Sequence, residues 1–599
     1  MKKTKFRSSF LIALASTFYI QLNSQVYIRI NQAGYIPGDK KIAIAFSDNR
    51  TTGSFRIIDQ KSGLKVFEAP LQKAEQKGWG NFKYYFRLDF SQLTAPGRYR
   101  IVIPATGNIS QVFSIGDKVY ETYADTMLIF MRQQRCGYNP FLDVECHRKD
   151  GRSMYGPMPD STYVDVSGGW HDAGDQLKYL ITASNATARM LLAWKAAPEI
   201  FPDRVGASGR PCPNGIPDVL DEAKWGLDWM HRLHPAPGQL VHQVADDRDH
   251  MGWKWPDKDS SDYGWGRGEH RVAYFATGTP QGLKKYKSEA TGVANIAGRS
   301  AAAMVLAYDI WKNDLHDSIY AAKCLAAALD LYNMGKNQEG YQQGNSYGAP
   351  YRYSENTWAD DMEWAAVELY GITGNRIWLD EAMHYALVAG NSSWMNYDSS
   401  AHYMYYPFSN IAHAFLYKYA DKEIKDKLEQ FYKDNFAGIR QRAAKNPYNA
   451  GVPFNWCSNN HTVNLIIQIL LYEQMTGDMQ YHDLMLAHRD WLFGRNPWGT
   501  SMFTGIPAGG EYPDDVHTSV WYLTHKMVPG GLVDGPVLGT IYRSLIGLEL
   551  TAPDEFAPFQ SSYVVYHDDI GDYSTNEPTM DGTADAIYMM ALLWKAGLR

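Results

Sequence analysis

The sequence predicts two units of different class: a small all-β sandwich at the N-terminus and a large all-α domain after it. Three observations carry this. Short alternating runs fill the first hundred or so residues, long stretches with apolar residues at helical spacing fill the rest, and the loops between those stretches are unusually long. With 599 residues, 45% of them hydrophobic, the chain can bury at least one large core beside a smaller one.

The first element precedes both units. Residues 1–24 combine a basic start (Lys2, Lys3, Lys5, Arg7), a short apolar run around Phe10 to Ile20 and small or polar residues near Ser24. That order is the pattern of a cleaved secretory signal. A membrane anchor needs a run of ~18 or more apolar residues, longer than this one. No cysteine occurs before Cys136, which excludes a lipoprotein acylation site at the cleavage point. The protein is therefore expected to be secreted or periplasmic, with attachment at the cell surface left open.

Residues 25–116 read as an immunoglobulin-like β-sandwich. The runs "VYIRI", "KIAIAF", "SFRIID", "KYYFRLDF", "RYRIVI" and "QVFSI" alternate, and turn-rich pieces such as "PGDK" and "APGR" separate them. Residues 117–599 change texture. Stretches such as "ANIAGRSAAAMVLAYDIWK" and "DDMEWAAVELYGITGN" place apolar residues on helix faces. The loops over 241–295 and 495–540 are too long to be mere connections, so they are expected to carry function. A ring of antiparallel helix pairs with elaborated loops at one end fits this pattern.

The net charge of −7 is small for this length, and lysine and arginine form no long run. Nucleic-acid and anionic-membrane partners are thereby disfavoured. No later segment is apolar enough to span a bilayer, and a monomer acting on a neutral partner is expected.

Two motifs carry chemistry. In "GGWHDAGD" (168–175), Asp172 and Asp175 flank Ala173-Gly174, so the backbone can turn tightly and aim both carboxylates into one space. Such a pair suits a base that holds and deprotonates a water; solvated aspartates in a turn would give the same spelling. In "DYSTNEPTMDGTADAIYMMALLWKAG", Pro578 is suited to the first position of a closing helix, which sets Glu577 near its cap. A general acid must be protonated near neutral pH, so burial or a like charge would have to outweigh the helix end. Aromatic residues make up 14% of the chain, and Trp170, Trp456, Trp498, Trp521 and Tyr522 fall in or beside motif loops. Flat rings suit the C–H faces of sugars. Trp456 and Trp521 are the preferred candidates, and Tyr573, in the same motif as Glu577, is a third.

Taken in order, "NQAGY", "DVSGGWHDAGD", "IPDVLDEAKWGLDWM", "HQVADDRDH", "ADDMEWAAVELYGITG", "GRNPWGTSMFTG" and "DYSTNEPTMD" resemble glycoside hydrolase family 9, the inverting cellulases. The resemblance spans nearly everything after the signal. It implies an immunoglobulin-like module followed by an (α/α)6 barrel that hydrolyses a β-1,4-glucan, polymer or oligosaccharide, with inversion. It implies Asp175 as catalytic base, Asp172 as its partner on the nucleophilic water and Glu577 as general acid, with no cofactor needed for the chemistry. His517 takes the place of a sugar-contacting histidine, but the arginine two positions on in the family pattern is here Ser519. The expected reaction is endo-acting; exo-acting members of the family and a non-catalytic glycan binder are the alternatives.

Five cysteines leave at least one unpaired. For Cys136 and Cys146 in a secreted protein a disulfide is the default. Yet "RCG…CH" resembles a zinc-binding element of bacterial family members, with Cys136, Cys146, His147 and His171 as the four ligands of a structural zinc. Asp360 and Asp361 stand where family members often bind calcium; an acidic helix start gives the same pattern.

Overall fold

The computed structural model describes residues 25–74, 78–350, 352–397 and 410–597. The signal reading of residues 1–24 lies outside the described residues.

The N-terminal unit packs two antiparallel sheets face to face. One has the order Tyr27–Arg29, Ile42–Ser47, Tyr84–Asp89, Gln72–Lys73. The other runs Lys65–Pro70, Ser54–Asp59, Gly97–Ile103, Asn108–Ile109, with Phe113–Ile115 also paired to Gly97–Ile103. Ala43, Ala45, Phe55, Ile57, Phe86, Leu88, Ile101 and Ile103 fill the space between them. The strand Ile42–Ser47 is buried on both faces. Its small residues Ala43 and Ala45 face the sandwich interior, while the alternate Ile42, Ile44 and Phe46 belong to the core of the helical domain. A strand's side chains point to opposite faces by turns, so one spelling serves two cores.

"NQAGY" fastens the joint between the units. Asn31 donates to Asp490 Oδ1 (2.9 Å) and to the Tyr120 hydroxyl, and the backbone N–H of Gln32 bonds the Phe493 carbonyl. The Gln32 side chain reaches the backbone of Gly499 and Glu511.

Among the described residues, six helices form a closed inner ring: Leu180–Ala196, Ala294–Asn313, Ala359–Thr373, Ile411–Tyr417, Ser458–Thr476 and Met580–Gly597. Each packs on the next, and the last returns to the first. Six more (Tyr123–Gln133, Asp218–Leu233, Ser318–Asn337, Arg376–Ala389, Lys422–Ala443, His482–Leu492) lie outside as their partners. Composition explains the sorting. Ser458–Thr476 and Leu180–Ala196 are buried around nearly their whole circumference, as helices inside a double ring must be. Lys422–Ala443 buries one stripe, Leu428, Tyr432, Asn435, Phe436, Ile439 and Ala443, and turns its charges outward.

Two details differ from the sequence reading. The closing helix begins at Met580 rather than Pro578. Pro578 and Thr579 instead form a short strand paired with Leu532–Val533, so Glu577 is not a helix cap. The 241–295 loop also contains strands: Val241–Val244 and Val272–Phe275 join Arg152–Met154 and Lys178–Tyr179 in a four-stranded sheet.

Candidate active site

Two inner-helix starts meet at the site: "GGWHDAGD" leads into Leu180–Ala196, Glu577 stands just before Met580–Gly597, and the Met580 N–H donates to the Asp172 carbonyl at 2.9 Å. The aspartate loop is held from several sides. Gly169 lies at φ +75°, and a Cβ there would fall 2.4 Å from the ring of Trp229. Trp170 is fully buried and donates to Glu222, which makes it a core residue rather than a sugar platform. Lys178 braces the loop through the carbonyls of Val166 and Gly168.

Gly174 explains the glycine between the two aspartates. Its N–H donates to Glu577 Oε1 at 2.8 Å. A Cβ at this position would meet the His517 carbonyl at 2.5 Å and Glu577 Oε1 at 2.7 Å. Only a residue without a side chain lets the base loop, Glu577 and His517 converge.

They converge on a cleft of about 470 Å³ lined by Asp175, Glu577, His250, Trp253, Lys254, Trp456, His517, Ser519 and Tyr573, within the range of sites that enclose small ligands. Asp175 Oδ1 accepts from the N–H of Leu177 (2.8 Å), and Oδ2 meets His250 Nε2 at 3.2 Å. Asp172 is buried one layer behind. Its Oδ1 accepts from Thr182 Oγ1 at 2.6 Å and its Oδ2 bonds the Tyr353 hydroxyl. Burial, then Asp581 and Asp175, push the Asp172 carboxyl well above the usual range, against its two hydrogen bonds. Glu577 is pushed up strongly as well, first by burial, then by the charges of Asp534, Asp175 and Asp172, against the Gly174 N–H.

The walls are aromatic. Trp456 and Tyr573 pack together at 5.9 Å. Trp253 stacks on Tyr522 (5.2 Å, 17°) and meets His517 edge-on at 4.6 Å, and His517 in turn meets Tyr573 at 6.2 Å. Trp521 is not among the cleft residues: it turns to His525 and packs on the core, because the short helix Ser519–Thr524, capped by Thr518, presents alternate faces at consecutive positions. Trp253 takes the place expected of Trp521. Trp498 is buried against Trp491. His517 donates from Nδ1 to the Ile570 carbonyl, and burial lowers its proton affinity, which favours the neutral ring with Nε2 as acceptor. Ser519 Oγ accepts from the N–H of Lys254, whose ammonium points away to Asp259.

Trp253, His250 and Tyr353 were not singled out from the sequence. His250 closes "HQVADDRDH", a motif whose spelling assigns no role to its last residue. Tyr353 and Trp253 carried no local signal.

Cys136, Cys146, His147 and His171 converge. Their donor atoms all lie within 4.8 Å of one another, and the five cysteines are unpaired, so the disulfide is not formed. Cys136 Sγ is 3.6 Å from His147 Nδ1, Cys146 Sγ 3.9 Å from His171 Nε2, and the two ring nitrogens are 3.4 Å apart. Tetrahedral zinc bonds of ~2.3 Å to sulfur and ~2.0–2.1 Å to nitrogen put donors about 3.3–3.8 Å apart, so the set fits that ion. His147 Nε2 meets Asp259 Oδ2 at 3.2 Å, the outer partner that orients a ligating imidazole.

Among the described residues Asp360 and Asp361 do not assemble a cation site, which speaks against the calcium reading. Arg299 donates to both oxygens of Asp361 (2.8 and 3.0 Å) and to Glu355 (2.7 Å), so a guanidinium already stands where the divalent ion would. Asp360 is pushed up to about 7 by burial and by Glu355, against the more distant charge of Arg299.

Residues 120–590 match the family model described as glycosyl hydrolase family 9, and residues 23–108 the one described as the cellulase N-terminal ig-like domain. Endoglucanase D of Acetivibrio thermocellus is 26% identical over 84% of this chain and 74% of its own length. A xyloglucan-specific endo-beta-1,4-glucanase of Bacteroides ovatus is 26% identical over 94% of this chain and 92% of its own. The crystal structure of a metagenome-derived glycoside hydrolase family 9 endoglucanase superposes with a TM-score of 0.74 at 26% identity, covering 95% of this chain and 99% of that one.

Proposed function

The chain belongs to glycosyl hydrolase family 9, and from that membership we propose that it cuts internal β-1,4-glucosidic bonds of a glucan with inversion at the anomeric carbon. The observation that carries this reading is the cleft itself, where Asp175 and Glu577, whose proton affinity is raised by burial and like charge, share one aromatic-walled space.

In this mechanism Glu577 donates its proton to the glycosidic oxygen as the C1–O bond breaks. Asp175 takes a proton from a water that attacks C1 from the opposite side. Inversion requires the two carboxyl groups to stand ~6.5–9.5 Å apart, with room for that water. Asp172 assists from behind, since its carboxyl keeps hydrogen-bonding capacity for that water beside the bonds from Thr182 and Tyr353. Trp456, Tyr573 and Trp253 present faces to the sugar rings, and neutral His517 accepts from a sugar hydroxyl.

Cys136, Cys146, His147 and His171 would hold a structural zinc. Such an ion would supply no step; held there, it would tie the aspartate loop, through His171, to the Trp253–Lys254 wall through the His147–Asp259–Lys254 chain. We further propose that the protein is exported. The apolar N-terminal run supports this, and no described helix is long and apolar enough to cross a membrane.

Asp175→Asn and Glu577→Gln should each lose ~10²–10⁴ in turnover while still binding oligosaccharide. Product anomers followed by NMR should be inverted at C1; retained configuration would overturn Asp175 as the base. Rapid viscosity loss of a soluble glucan distinguishes internal cutting from attack at chain ends.

A further inference from the structure

Beneath the cleft lies a buried carboxyl that the mechanism does not use. Asp534 follows the strand Leu532–Val533 and is 1% exposed. Its backbone N–H donates to the Glu577 carbonyl at 2.9 Å, the first rung of the strand pair that carries the acid. Its carbonyl accepts from the N–H of Asn459. Its side chain turns the other way: Oδ1 accepts from Cys457 Sγ at 3.2 Å, and the carboxylate bonds the side chain of Trp456, the cleft platform. Cys457 holds a left-handed backbone (φ +57°), unusual for a residue with a side chain, and that turn aims its thiol at Asp534 while Trp456 faces the cleft.

We propose that Asp534 is a positioning residue of the active site, tying the Trp456 platform to the strand that carries Glu577 and keeping the acid's proton on Glu577. This rests on the reading of Glu577 as general acid.

The argument is one of donors and acceptors. An indole N–H can only donate, and a thiol mainly donates, so the two partners of Asp534 favour its ionised form. Glu577 bonds through one oxygen to the Gly174 N–H and keeps its other oxygen for a proton. Burial raises both carboxyls and they repel one another, so the pair shares one charge, and the two donors on Asp534 against the one on Glu577 favour the charge on Asp534 and the proton on Glu577.

Burial, and after it the negative charges of Asp581 on the closing helix and of Asp572, held by His567, Ser574 and Thr575, push the Asp534 carboxyl up, against the donors Cys457 and Trp456. Asp175 and Asp172 face Glu577 from the base loop, and His517 beside them favours its neutral form. Of the charges acting on Glu577, that of Asp534 weighs most.

The test separates charge from tether. Asp534→Asn keeps an acceptor for Cys457 and Trp456 and removes the charge. The alkaline limb of its kcat/KM profile on soluble glucan should move down by about one pH unit, with KM within about twofold of the wild type. Asp534→Ala also releases Trp456, and KM for a long cello-oligosaccharide should rise about tenfold, the worth of one such hydrogen bond. An alkaline limb unmoved in Asp534→Asn overturns the proposal, and should Asp534→Ala fail to fold, that profile alone decides. Wild-type KM in a folded Asp534→Ala overturns the tether. Glu577→Gln is run alongside on a glucan and on a dinitrophenyl cello-oligoside, whose leaving group needs no acid. Loss on the glucan only, with an unmoved limb in Asp534→Asn, overturns Asp534 alone. Full activity of Glu577→Gln on the glucan overturns both readings.

Discussion

Replacing Gly174 with alanine is the smallest change that separates the parts of this site. The backbone at Gly174 is not in the left-handed region, so alanine is acceptable there except for space. The added Cβ would lie 2.5 Å from the His517 carbonyl and 2.7 Å from Glu577 Oε1. Ordinary contact begins near 3.4 Å. The base loop and the acid must therefore part by several tenths of an ångström to about one, and the 2.8 Å bond from Gly174 N–H to Glu577 lengthens or breaks. A displacement of about 1 Å in a reacting group costs roughly 10²-fold in rate, or ~2.7 kcal/mol of barrier. Strain of this kind in packed surroundings costs about 1–3 kcal/mol of stability. Gly174→Ala should thus fold with a lowered melting temperature and lose about a hundredfold in kcat on a soluble glucan, with a smaller change in KM. On a dinitrophenyl cello-oligoside, where protonation of the leaving group is not needed, the loss should shrink. Wild-type kcat on the glucan, or an equal loss on both substrates, would refute the argument that Gly174 is kept bare so that Glu577 can approach.

Three further outcomes follow from the same geometry. Metal analysis of the purified protein should find one zinc per chain; Cys146→Ser should abolish it, lower the melting temperature and reduce kcat less than Asp175→Asn does. Glu577 is raised in the folded state, so the folded protein holds a proton that the unfolded chain has released above about pH 4.5, and stability falls as pH rises through that window. Glu577→Gln removes the dependence, and denaturation at pH 4 and pH 7 should show it gaining on the wild type at the higher pH. Finally, Ser519 leaves space where a guanidinium would grip the sugar, so the wild type should favour xyloglucan or mixed-linkage glucan over carboxymethyl cellulose. Ser519→Arg should shift that preference toward the unbranched polymer; comparative rates on the three substrates check it.

Local spelling was enough to separate the two units, because strand and helix periodicities are properties of neighbouring residues. "KIAIAF" alternates and "ANIAGRSAAAMVLAYDIWK" recurs at helical spacing whatever surrounds them. Motif spelling likewise brought forward Asp172, Asp175, Glu577 and the Cys136–Cys146–His147–His171 set. What the sequence could not carry was any property that depends on two distant segments meeting. Whether Ile42, Ile44 and Phe46 face the sandwich or the barrel, why Gly174 must lack a side chain, and that Arg299 forestalls calcium at Asp361 are all settled by contacts across many residues. The same holds for the ring that faces the cleft. Trp253 and Trp521 are equally aromatic as letters, and one short helix turns Trp521 inward while a loop more than 250 residues earlier delivers Trp253. The raised proton affinity of Glu577 belongs to the tertiary structure too, because a glutamate has none of its own. It acquires one only when folding strips its water and brings Asp534, Asp175 and Asp172 around it.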